Sequence, residues 1–143
     1  QNNPEDVDKE AFYSAFSSSD KGSIDLQLKR VDGQHSRLAK AYAGALLMKK
    51  ADIVKGPKEK LSTFKDGKEL LDGAISEDPD NAEFRFLRLV IQEQAPAILN
   101  FNDKKGEDAQ QVVESFSEFP EVVKDFVKDY AQNSDSLKAD SFD

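Results

Sequence analysis

Arg85, Arg88 and Gln92 are the side chains best placed to act as a group. Their spacing of i, i+3 and i+7 puts them within about 60° of arc on a helix that turns 100° per residue. Around them run Phe84, Phe86, Leu87, Leu89, Val90 and Ile91, so the polar stripe crosses an otherwise apolar helix. A guanidinium in such surroundings demands a carboxylate or another anion, because an unpaired buried charge is expensive. Two readings follow. In one, Arg85, Arg88 and Gln92, with Tyr42 from a neighbouring helix, line a groove that takes a peptide terminus or an acidic side chain through bidentate donors. Charge reversal at Arg88 then abolishes capture without unfolding. In the other, the stripe pairs internally with acids such as Glu69, Asp72 or Glu93, or stands in solvent.

Other reactive groups point to no chemistry. His35 is the only histidine; it sits beside Gly33 and Ser36 between two predicted helices, with no nucleophile and orienting acid patterned around it as a triad requires. Acidic pairs occur at Glu5-Asp6, Glu77-Asp78 and Glu107-Asp108, but 28 acids in the chain make close pairs unavoidable. Asp78-Pro79-Asp80-Asn81 lacks the central glycine and distal glutamate of a calcium loop. Cysteine is absent, which removes thiolate nucleophiles and sulfur-ligated zinc. Neither catalytic residues nor a metal or cofactor is expected. Phe84, Phe86, Phe101, Phe116, Phe119 and Phe126 recur at helical spacing and read as core.

Charge narrows the partners. Twenty basic residues against 28 acidic ones give a net charge of −8, and adjacent basic pairs such as Lys49-Lys50 and Lys104-Lys105 are few. Phosphate binding needs clustered cations, so nucleic acid is not an expected partner. No apolar run approaches the ~20 residues of a membrane span. The oligomeric state is left open. The chain opens on Gln1, which suggests a removed leader and an exported protein, with a cytoplasmic one as the alternative.

The elements that must position these residues are helical throughout. Asn3-Pro4-Glu5-Asp6 reads as a cap and first turn, ahead of the stripe Val7, Ala11, Phe12, Ala15 and Phe16. Lys21-Gly22 reads as a turn, and Ile24, Leu28 and Val31 form a short second helix closing at Gly33. A third helix carries Leu38, Ala41, Tyr42, Ala45 and Leu46, with the small residues Ala39, Ala43 and Gly44 beside them, and ends near Lys55-Gly56. Pro57 opens a fourth, with Leu61, Phe64, Gly67, Leu71, Ala74 and Ile75 facing the core. Gly67 reads as a helix-packing position and Gly73 as a mark of fraying. The fifth helix starts at Asp80, with Glu83 completing a capping box, and ends at Ala95-Pro96. Val112, Val113, Phe116 and Phe119 mark a sixth. Pro120 opens a seventh, with Val122, Val123, Phe126, Val127 and Tyr130. The expectation is one all-α domain over 1–132, about seven helices in antiparallel hairpins, with a polar tail over 133–143 that frays.

From Gly67 to Glu83 the chain resembles the junction between tetratricopeptide repeats, helical hairpins that recur every 34 residues or so. Gly67 and Ala74 fall on small-residue positions, Leu71 on the large apolar one, and Pro79 on the turn proline. The aromatic and Leu-Gly signature is missing around Lys55 to Lys58, and Arg85 and Arg88 stand where a standard repeat is apolar. The resemblance implies a right-handed stack or compact bundle that binds protein or peptide without catalysis. The alternative is a small-molecule or anion site, or an enzyme pocket, between the central helices near Arg85 and Arg88. The stretches Lys40-Ala41-Tyr42-Ala43-Gly44-Ala45 and Ala82-Glu83-Phe84-Arg85-Phe86-Leu87-Arg88-Leu89 are also similar to small exported proteins of Bacteroidetes, a likeness that implies export and no particular chemistry.

Overall fold

The computed structural model describes residues 7–143. Among them the chain is all-α, with seven α-helices and no strand: α1 (Lys9–Phe16), α2 (Lys21–Val31), α3 (Arg37–Ala51), α4 (Pro57–Glu77), α5 (Ala82–Gln94), α6 (Lys105–Ser115) and α7 (Glu121–Ala131). They form two compact units, one up to Asp78 and one from Pro79 onward.

Side-chain caps set several helix starts. A helix leaves its first N–H groups without intrahelical partners, and a preceding Asp, Asn or Ser supplies an acceptor. Asp8 accepts from the Ala11 amide at 3.0 Å, and α1 begins there; the Asn3-Pro4 cap expected from the sequence lies outside the described residues. Asp20 accepts from the Ser23 amide at 3.0 Å, which draws Lys21 and Gly22 into the first turn of α2 instead of leaving them as a turn. Asn81, one residue later than expected, caps α5 through the Phe84 amide at 3.0 Å. Pro57 occupies the first position of α4, following Gly56 at φ 89°, a left-handed conformation that glycine adopts without strain.

The first unit is organised by the contact between α3 and α4, its most extensive helix pair. Gly44 and Gly67 face each other so closely that a Cβ built on Gly44 would lie 2.7 Å from the Gly67 carbonyl oxygen, and one on Gly67 would lie 2.6 Å from that of Gly44. The two main chains touch, with no side chain between them. Phe64, Leu71, Ala74 and Ile75 bury the rest of this face of α4. Leu61, expected with them, lies at the margin of the stripe in the first turns and is half exposed. Against α3, α1 contributes an aromatic cluster: the Phe12 and Tyr42 rings stack with centroids 3.7 Å apart, and Tyr13 meets Tyr42 edge-on at 6.2 Å.

In the second unit α5 is buried nearly all round, with Phe84, Phe86, Leu87, Leu89, Val90 and Ile91 in the core. Apolar side chains cover most of its circumference, which places the helix at the centre of the unit. Val112 of α6 and Val123 and Val127 of α7 complete the interior. Phe101 is buried as well, while Phe116, Phe119 and Phe126 are only half-buried and Val113 faces solvent. Residues 133–143, whose polarity reads as a fraying tail, are folded onto this unit. Leu137 and Phe142 are buried, and the Phe142 ring lies 4.7 Å from that of Phe116. Two apolar side chains among polar neighbours anchor the segment, each contributing about 1.5–3 kcal/mol of burial.

The glycines of α4 give a test with opposite signs. A methyl added at Gly73 would meet nothing within 4 Å, so Gly73→Ala should stabilise the protein by about 1 kcal/mol through helix propensity alone. Gly67→Ala gains the same propensity but must push the α3 and α4 backbones apart, and overpacking costs about 1–3 kcal/mol. Urea denaturation should find Gly67→Ala less stable than the parent; equal stability would sink the close-approach account.

Candidate functional site

The stripe on α5 does converge, and what it converges on is Asp108. This residue lies in the first turn of α6 and is fully buried. Arg88 reaches it as a fork, with Nε 2.8 Å from Oδ2 and Nη2 2.8 Å from Oδ1. Arg85 Nη1 donates to Oδ1 at 3.2 Å, and Gln92 Nε2 to Oδ2 at 2.8 Å. Four donors thus meet the roughly four lone-pair positions of one carboxylate. Gln92 uses its other end as well: Oε1 accepts from the Lys104 amide at 2.7 Å, which satisfies a backbone donor where α6 begins. Arg85 Nε donates to the Pro79 carbonyl at 3.0 Å.

The acid that the stripe calls for is therefore supplied by the chain, and it is none of the three that sequence spacing brings to mind. Glu69 and Asp72 belong to α4, where Asp72 takes Lys68 at 2.8 Å. Glu93 has other partners. Asp108 carried a signal of its own, because it sits four residues before Val112 and beside Ala109, on the buried face of α6. A carboxylate inside an apolar stripe must meet a donor. Tyr42 belongs to the first unit, where its ring is buried in the α1 cluster and its hydroxyl accepts from Lys9 Nζ at 2.9 Å. His35 lies exposed between α2 and α3.

Glu93 forms a second polar knot. Tyr130 Oη donates to its Oε1 at 2.5 Å, Ser134 Oγ lies 3.0 and 2.9 Å from the two oxygens, and the Ser136 amide donates at 2.8 Å. Burial pushes the Glu93 carboxyl up, but the hydrogen bonds from Ser136, Tyr130 and Ser134 outweigh it and hold the group below its ordinary value. The Tyr130 hydroxyl is driven well above the usual tyrosine range, by burial first and then by the Glu93 carboxylate. Both shifts favour one state, a carboxylate accepting from a neutral phenol. The knot joins α5, α7 and the C-terminal segment.

One concave surface stands apart from these knots. In the first unit an open groove of about 570 Å³ runs beside α2, α3 and α4. Leu28, Val31, Ala39, Ala43, Leu47 and Leu70 give it an apolar lining, with Lys29, Asp32 and Lys40 among its polar residues. Gln34 also lines it: Nε2 donates to the Arg30 carbonyl at 2.9 Å, while Oε1 is buried without a partner. The sequence expects Ala39, Ala43 and Gly44 to let a neighbouring helix approach; Gly44 meets the α4 backbone, while Ala39 and Ala43 line the groove.

No family model, curated protein or solved structure matches the chain.

Breaking the Asp108 knot should be costly. Arg88→Ala leaves a buried carboxylate short of its forked donor, a loss of about 3–5 kcal/mol, so charge reversal at Arg88 is expected to unfold the second unit. A double-mutant cycle with Asp108→Ala, read by urea denaturation, should show strong non-additivity; additive losses would mean the two side chains are not coupled. The Glu93 knot predicts acid sensitivity. Because the folded carboxyl lies below its ordinary value of 4.5, its contribution is complete above that pH and disappears as pH falls through the folded value. The Ser136 amide proton, followed by NMR, should titrate with a midpoint below 4.5 in the parent and lose that step in Glu93→Gln. A midpoint at or above 4.5 would contradict the assignment.

Proposed function

We propose that this chain is a non-catalytic helical-hairpin domain that binds a protein or peptide segment, in an exported setting and with an arrangement akin to tetratricopeptide repeats. The observation that carries the reading is the open apolar groove beside α2, α3 and α4. Clefts of about 300–1,000 Å³ with a largely apolar lining and a few polar groups are the usual form of binding sites, and an open one suits a chain segment better than an enclosed small molecule. The repeat resemblance draws support from α4, where Gly67, Leu71 and Ala74 are all buried and Gly67 meets α3 main chain to main chain. Arg85, Arg88 and Gln92 serve the reading indirectly, by fixing α6 to α5. The alternative, an anion or small-molecule site beside Arg85 and Arg88, has little to work with, since Asp108 takes Nε and Nη2 of Arg88.

Selection of a random peptide library, about 12 residues long, on the immobilised protein tests the reading. Binders with Kd below about 100 μM, roughly −5.5 kcal/mol, should emerge and lose affinity for Ala43→Trp, which fills the groove while keeping the parent's Tm. A selection that yields no such binder overturns the proposal.

A further inference from the structure

Resting on the binding-domain reading just given, we infer that the groove takes an apolar segment of an acidic partner chain, with a donor from that segment closing on Gln34 Oε1. Three observations converge on this occupant. The lining of Leu28, Val31, Ala43, Leu47 and Leu70 offers apolar surface and little else, so the seated side chains are aliphatic or aromatic. Gln34 Oε1 is a buried acceptor without a partner, and its amide nitrogen is already committed to the Arg30 carbonyl. Leaving such an acceptor unmade costs stability; the atom is closed to solvent as it stands, so a ligand recovers that loss by turning the carboxamide toward its own N–H or O–H. A polypeptide backbone presents such donors at every residue but proline.

Charge completes the specification. α3 carries Arg37, Lys40, Lys49 and Lys50 and not one acid; Arg37 and Lys50 pair with Glu77 and Asp25, and Lys40 is the one that reaches the groove. The chain's net charge of −8 is divided unevenly. Residues 79–143 hold 14 of the 28 acids but only 7 of the 20 basic residues, which leaves the segment up to Asp78 close to neutral. Two cations, Lys29 and Lys40, border the groove against one acid, Asp32, and neither lysine makes an ion pair among the described residues. A segment with Asp or Glu beside its apolar anchors meets complementary charge there, and a basic one is repelled. Such complementarity acts mostly on specificity and encounter rate, so it selects among apolar segments that the lining alone would accept.

The experiment is the composition and footprint of the selected peptides. Enriched sequences should carry apolar anchors flanked by Asp or Glu, and an enriched peptide added to ¹⁵N-labelled protein should shift the Gln34 side-chain amide and the backbone amides of Leu28, Ala43, Leu47 and Leu70. Gln34→Met should shift Tm little, since it removes the unmet acceptor together with the bond to the Arg30 carbonyl, and weaken that peptide by about tenfold, the factor equivalent to one hydrogen bond. Lys40→Glu should weaken acidic peptides and strengthen their lysine-substituted counterparts. Enrichment of basic or uncharged peptides, a footprint elsewhere, or affinity indifferent to Gln34→Met overturns this inference and leaves the binding-domain reading standing. Dodecanoate shifting the same amides where no selected peptide does would replace a polypeptide occupant by an acyl chain and overturn it too. Failure to enrich anything removes the broader reading and this one together.

Discussion

Two main chains in contact, at Gly44 and Gly67, are the constraint around which the first unit is arranged. Ordinary helix pairs adjust to substitution by moving side chains; here an added methyl meets main-chain atoms, which cannot rotate away. A methyl on either glycine meets a carbonyl oxygen well inside any real Cβ contact distance. The contact sets how near α3 comes to α4, and with it which residues of each helix are left to face outward. Ala43 and Leu47 precede and follow the crossing on α3, and Leu70 lies one turn beyond it on α4; all three end in the groove wall. The groove is in this sense a by-product of the packing surface. It consists of what remains when the glycines have met.

The second unit solves the opposite problem. Its central helix has apolar residues on every side and two guanidiniums among them. Buried ion pairs contribute little net stability by themselves, because desolvation offsets much of the attraction; their effect lies in what they forbid. Asp108 cannot be satisfied unless Arg88, Arg85 and Gln92 all arrive, and Gln92 cannot arrive without also meeting the amide at the start of α6. The knot therefore specifies one placement of α6 on α5, where apolar contacts alone would tolerate several. This use of polar groups for uniqueness explains why a stripe resembling a recognition site can belong to the frame.

Much of this was legible in the sequence. Hydrophobic periodicity gave all seven helices, and Pro57, Pro79 and Pro120 marked turns where helices begin or end, because proline fits a first turn and breaks an interior. The stripe on α5 was readable as three residues on one face needing an acid. What spacing could not supply was the acid's identity, since Asp108 is sixteen residues beyond Gln92 and only the fold brings the two together. Polarity misled at the C-terminal segment for a related reason: Ser134 and Ser136 look like solvent-seeking residues until Glu93 is placed against them. The groove was invisible, because Leu28 reads as one more residue of the apolar stripe of α2, and Gln34 carries no pattern, until α2 is set beside α3.

The Glu93 knot bears on how shortened or extended forms of the protein would behave. Cutting the chain before Ser134 would strip the hydroxyl and amide donors from Glu93 and uncover the Phe116 ring that Phe142 covers. What looks on paper like the removal of an expendable acidic end would create a sticky apolar face beside an ill-solvated carboxylate. Such a form should aggregate during purification, and a reporter joined there would need a spacer long enough to leave Phe142 in its seat.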